Sequence, residues 1–160
     1  MKIRTILLIA CSALLLCTVS CKKEKKGFSG TSVDMGVSMK WATMNAGASS
    51  QGEVGTVMTV TDALAYVLEG KKWQLPTEDQ WEDLLNNCIP SFSTTADGNG
   101  YLITSENGAS IYLPAAVYLC KPDDTGADPK IYFVDLTKNI PSIKSTESTD
   151  GTYAIRLVRK

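Results

Sequence analysis

Apolar residues fall along this chain in three successive patterns. Ile6 to Leu16 is an almost unbroken apolar run between Lys2 and Arg4 on one side and Lys22-Lys23-Glu24-Lys25-Lys26 on the other. Between residues 60 and 90 the spacing becomes helical. Thr61-Asp62 offers an N-cap for Ala63 to Glu69, with Leu64, Val67 and Leu68 on one face and Gly70 to end it. Thr77-Glu78-Asp79-Gln80 is a capping box: the Thr77 hydroxyl caps the helix and Gln80 reaches back three residues. Trp81, Leu84, Leu85 and Cys88 then fall at i, i+3, i+4 and i+7, and Pro90 is the expected stop.

Beyond residue 100 the period shortens to two. Tyr101 to Ser105 and Ala109 to Leu113 flank Glu106-Asn107-Gly108, a hairpin signal whose Asn-Gly pair tolerates positive φ. Val117 to Cys120, Ile131 to Leu136 and Tyr153 to Val158 read as strands, the last alternating Tyr153, Ile155, Leu157 against Ala154, Arg156, Val158. Val33 to Met44 reads as extended and Val54 to Val60 as a short strand. Strands, two helices, then strands alone give an α+β pattern, with two helices packed on a mostly antiparallel sheet.

The first apolar run is too short to span a bilayer, which takes about 20 residues. With its basic start it matches a signal-peptide h-region, and Thr18-Val19-Ser20-Cys21 supplies small residues before a cysteine. This order favours a bacterial lipoprotein signal over residues 1–20 and acylation of Cys21, ahead of plain cleavage after Ser20. Leu8-Ile9-Ala10-Cys11 fits a lipobox locally but leaves too few apolar residues before it. Residues 21–32 then form a polar tether, and 33–160 a single domain. A mature chain of 140 residues, 20 fewer than the full 160, is long enough to bury a core unaided.

Charge and composition narrow the function classes. Taking Lys2 and Arg4 from the 16 basic residues leaves 14 against 17 acidic ones, a formal charge of −3, which carries no nucleic-acid footprint. The chain has no histidine, so the commonest general base and metal ligand are missing. No Gly-x-Ser-x-Gly elbow, P-loop or dinucleotide fingerprint occurs. No enzyme, cofactor or metal site is expected. Past Cys21 only Cys88 and Cys120 remain. They are either a disulfide worth about 3–4 kcal/mol over its loop or two buried thiols. The basic residues after Cys21 suit anionic lipid head groups.

Several stretches together carry a resemblance. These are Val33-Asp34-Met35-Gly36, Lys40-Trp41-Ala42-Thr43-Met44-Asn45-Ala46-Gly47-Ala48, Trp73-Gln74-Leu75-Pro76-Thr77, Gln80-Trp81, Leu84-Leu85, Asn107 to Ala116 and Tyr153 to Arg159. In succession they resemble the Fibrobacter succinogenes major paralogous domain family, abundant in Bacteroidetes-type envelope lipoproteins. The resemblance implies a C-type-lectin-like fold, related to formylglycine-generating-enzyme-like domains, from Val33 onward. The family pattern has Cys at Met44 and a longer insert after the Gly-Ala loop.

Candidate ligand residues follow from that implied fold. Lys121-Pro122-Asp123-Asp124 is similar to the calcium-binding triplet of sugar-binding C-type lectins, but no Trp-Asn-Asp motif completes it, and Lys121 and Lys130 flank it. A solvated loop is the favoured reading there. Tyr118, Asp123, Asp124 and Tyr132 are the residues expected near any ligand. Trp41, Trp73 and Trp81 read as core rather than a sugar platform. The expected role is a membrane-anchored envelope module binding a glycan or protein partner without catalysis. The alternative is a purely structural surface module. The basic tether favours the periplasmic face of a membrane, expected to be the outer one, over export to the cell surface.

Overall fold

The computed structural model describes residues 27–69, 72–123 and 130–160. The signal segment, Cys21 and Asp124 lie outside them. Among the described residues there are two helices, α1 (Val60–Glu69) and α2 (Glu78–Asn87). Eleven strands accompany them: β1 (Ser32–Asp34), β2 (Lys40–Ala42), β3 (Met58–Thr59), β4 (Cys88–Thr95), β5 (Gly98–Ser105), β6 (Ser110–Pro114), β7 (Val117–Leu119), β8 (Ile131–Asp135), β9 (Ser142–Thr146), β10 (Thr152–Tyr153) and β11 (Val158–Arg159). Every pairing between these strands is antiparallel, which gives the expected α+β class.

Helix α2 begins as its capping box dictates. Thr77 Oγ1 accepts from the Gln80 amide at 3.3 Å, and the Gln80 side chain accepts from the Thr77 amide at 3.1 Å. Trp81 and Leu84 are buried and Leu85 half-buried. The helix ends before Pro90, however. Cys88 turns extended (φ −124°, ψ 163°), and Pro90 lies inside β4, opposite Ile103. Proline is tolerated there because β4 is at the edge of its sheet and one side needs no donor.

Helix α1 starts three residues earlier than expected. Thr59, not Thr61-Asp62, is its cap: the Asp62 amide donates to Thr59 Oγ1 at 3.2 Å, and that hydroxyl donates to the Asp62 carboxylate. Its docking face is Val60, Ala63 and Val67. Leu64 and Leu68, expected inward, are exposed (40% and 80%).

Three three-stranded sheets, β1-β2-β11, β4-β5-β6 and β7-β8-β9, stand beside the β3-β10 ribbon. The β5–β6 hairpin forms as expected. The Gly108 amide donates to the Ser105 carbonyl, the Ser105 amide donates to the Ala109 carbonyl, and Gly108 takes φ +81°. The Asn107 side chain holds the turn through Ala109 N and Ser105 Oγ, and donates to the Asp34 carbonyl on β1. Strands β4 and β9 were not expected; their Ser/Thr-rich, mostly exposed residues lack the apolar alternation that marks a strand.

The segment 152–159 joins these pieces. It pairs with β3 at Thr152–Tyr153, with β7 through a parallel Tyr118–Ala154 bridge, and with β2 and Gln74 at Val158. In between, Ala46 N and Ala42 N donate to the Ile155 and Leu157 carbonyls. The alternation read from the sequence is present, but both faces are buried. Tyr153, Ile155 and Leu157 enter one core with Trp73, Leu75 and Ala63. Ala154 and Val158 enter the other, with Trp41, Trp81, Leu84 and Tyr118. All three tryptophans are buried.

Cys88 and Cys120 are free thiols, so of the two alternatives the disulfide is not formed. Each is buried. The Cys88 thiol faces the Met35 carbonyl at 3.8 Å, and burial pushes both thiols up, which favours their protonated form.

Candidate functional site

Two of the four expected ligand residues come together. The N-terminus of α2 lies against the stretch after β7, where the Lys121 amide donates to the Pro76 carbonyl at 2.7 Å. Next along, Asp123 bridges to Lys130, its amide donating to the Lys130 carbonyl. Tyr132 on β8 sits beside this stretch, its carbonyl accepting from the Cys120 amide at 3.0 Å. A groove of about 280 Å³ results, lined by Thr77, Glu78, Asp79, Lys121, Pro122, Asp123 and Tyr132.

The groove is acidic. Burial, with Glu82, Asp79 and Asp123 nearby, raises the Glu78 carboxyl above its ordinary value. One lysine, Lys121, and one half-buried ring, Tyr132, complete the lining. Such a surface offers hydrogen-bond acceptors for hydroxyl or ammonium groups and an aromatic edge for an apolar face. The Thr77 hydroxyl is engaged in capping α2. Among the described residues no group of three His, Cys, Asp or Glu side chains is placed to hold a metal ion.

Tyr118 is not part of this surface. It is fully buried, its hydroxyl donating to the Pro114 carbonyl at 2.9 Å and lying 3.1 Å from Asn45 Nδ2. Its position in β7, against the 152–159 segment, turns the ring into the core, 5.5 Å from Trp81. Asp124 lies outside the described residues.

A buried polar cluster around Tyr118 was not anticipated. Arg156 is fully buried, donating from its two terminal nitrogens to the Ala42 and Tyr112 carbonyls at 2.8 and 2.6 Å. Burial lowers the guanidinium pKa, and the neighbouring Tyr118 partly offsets this. Arg156 Nε and Asn45 Oδ1 have no partner among the described residues. The alternation of Tyr153 to Val158 located Arg156 correctly on the face opposite Ile155, but nothing in the pattern told that this face is also interior. The cluster ties β2 and β6 to the 152–159 segment.

Set against family models, curated proteins and solved structures, the chain finds no match in any of the three.

Proposed function

We propose that this chain is a lipid-anchored envelope protein whose one domain, of C-type-lectin-like fold and of the Fibrobacter succinogenes major paralogous domain kind, binds a glycan or protein partner without catalysis. The observation that carries the binding role is the groove joining Tyr132 and Asp123 to Glu78 and Asp79. It places acceptors and a ring edge together at one accessible spot. Sugars and basic peptide segments both suit such a lining, through carboxylate hydrogen bonds and ring contact. The anchor reading rests on the order of Lys2, Arg4, the Ile6–Leu16 run and Cys21. The basic tether favours the periplasmic side of its membrane over the cell surface.

A glycan array and an envelope pull-down with the purified mature lipoprotein test the binding role. Capture of a defined glycan or protein, weakened at least tenfold by Tyr132→Ala and by Asp123→Asn, is the expected result. No capture, or capture indifferent to both substitutions, overturns this assignment of the groove and leaves the structural module as the better reading. For the anchor, Cys21→Ala should move the protein from membrane to soluble fractions, and the wild type should carry acyl mass. Unchanged fractionation and an unacylated wild type would sink it.

A further inference from the structure

The strands near the chain's entry into the domain gather cations. Lys40 on β2 is the register partner of Arg159 on β11, so the two side chains share a face. The Gln74–Val158 bridge sets the stretch from Lys72 to Gln74 along the other side of β11. Lys72, Arg159 and Lys160 consequently line one groove of about 380 Å³ together with Trp73 and Gln74. Lys40, Lys72 and Lys160 are exposed, and Arg159 is half-exposed. Arg159 is held in place, its guanidinium 5.2 Å over the Trp73 ring and its Nε donating to Ser32 Oγ at 2.7 Å.

The chain enters at this same spot. Phe28 packs edge-on against Trp73, ring centroids 4.8 Å apart. Six residues lie between Cys21 and Phe28, a span of at most about 25 Å even when fully extended. Four lysines, Lys22, Lys23, Lys25 and Lys26, fall within it. Opposing charges include Glu24 in the tether and Asp34, the register partner of Lys40. Cations are in clear excess. A polybasic surface held within a few Debye lengths of a bilayer is drawn to anionic head groups.

We propose that the face formed by Lys40, Lys72, Arg159 and Lys160 is the domain's docking surface for an anionic membrane. It takes the phosphates of the leaflet that carries the anchor and fixes which side of the domain faces away. The inference rests on lipidation of Cys21, and the experiment separates the two. The purified mature lipoprotein is incorporated into vesicles of pure phosphatidylcholine, or of phosphatidylcholine with 30% phosphatidylglycerol. Each sample is labelled with a membrane-impermeant amine reagent and read lysine by lysine by mass spectrometry.

Labelling of Lys40, Lys72 and Lys160 is expected to fall at least threefold on the anionic vesicles at low salt, and to recover in high salt. Lys138, exposed and remote in sequence from this face, serves as the internal control and should not change. In the double variant Lys72→Glu/Lys160→Glu, Lys40 should lose its protection. Equal labelling of the three lysines on both vesicle types, with the protein still floating with the vesicles, overturns the docking surface alone. Failure to float with phosphatidylcholine vesicles, with no acyl mass, overturns the anchor instead.

Discussion

Replacing Trp81 with alanine should cost this domain about 4 kcal/mol. Its ring is fully buried at the centre of an aromatic chain, 4.7 Å from Trp41 and 5.5 Å from Tyr118 by centroid. Burying an indole removes about 200 Å² from water, worth about 5 kcal/mol at about 25 cal/mol per Å². The two ring contacts add about 1 kcal/mol beyond area. Against this, the Trp81 Nε1–H is buried with no acceptor among the described residues. Its desolvation penalty, about 1–3 kcal/mol, disappears with the side chain. The balance falls within the usual range of about 3–5 kcal/mol for such truncations.

The same orphaned donor makes a second substitution diagnostic. Trp81→Phe keeps an aromatic ring and removes the unpaired N–H, so its cost should be only about 1 kcal/mol. Urea unfolding followed by circular dichroism measures both, with the slope checked for two-state behaviour. A cost below about 1 kcal/mol for the alanine variant refutes the core assignment. A phenylalanine variant as damaged as the alanine one refutes the accounting for the donor.

Asp135 accepts from Lys144 Nζ at 2.8 Å and from the Thr137 amide and hydroxyl, and these hold its carboxyl well below the ordinary range. Because the folded state binds that proton less readily than the unfolded chain, its contribution is complete above about pH 4 and lost as pH falls below that. Asp135→Asn should cost about 1.5–3 kcal/mol at neutral pH and flatten the acid limb of the stability curve; an unchanged acid limb counts against the ion pair. Thr77→Ala removes the α2 cap and should cost about 1 kcal/mol by urea unfolding, with no loss meaning that the capping box is dispensable. Gly108→Ala meets no atom within 4 Å and should cost only the positive-φ strain, about 1 kcal/mol. At Gly55 (φ +74°) an added Cβ would lie 2.3 Å from the Ala46 carbonyl oxygen, so Gly55→Ala should shift the thermal midpoint clearly further; equal shifts overturn the clash.

Local signals in the sequence were legible where one element sufficed to express them. The Thr77–Gln80 box and the Trp81-Leu84-Leu85 stripe define α2, and Glu106-Asn107-Gly108 defines the β5–β6 turn. What failed depended on neighbours far along the chain. Strand β4 has Pro90 and a serine- and threonine-rich stretch, and it exists because β5 pairs with it along its whole length. Leu64 and Leu68 repeat at helical spacing, yet the neighbouring core accepts the smaller Val60–Ala63 side of α1. At the site, Asp123 and Tyr132 share a groove, whereas Tyr118 is drawn inward by Asn45 and the Pro114 carbonyl. Glu78 and Asp79 were read as helix-start charges; that they also face the 121–123 stretch follows only from the Lys121–Pro76 hydrogen bond.

The segment from Thr152 to Arg159 bears on how the domain is made. It is synthesised after every strand it joins, and its partners lie as far back as Lys40 in β2 and Ser32 in β1. A chain lacking it leaves β2 without β11, β3 without β10, and two apolar cores open on one side. Contacts of such sequence separation close slowly, so the two cores are completed late in folding. Deleting residues 152–159 should therefore abolish the cooperative unfolding of the whole domain rather than fray one edge of it.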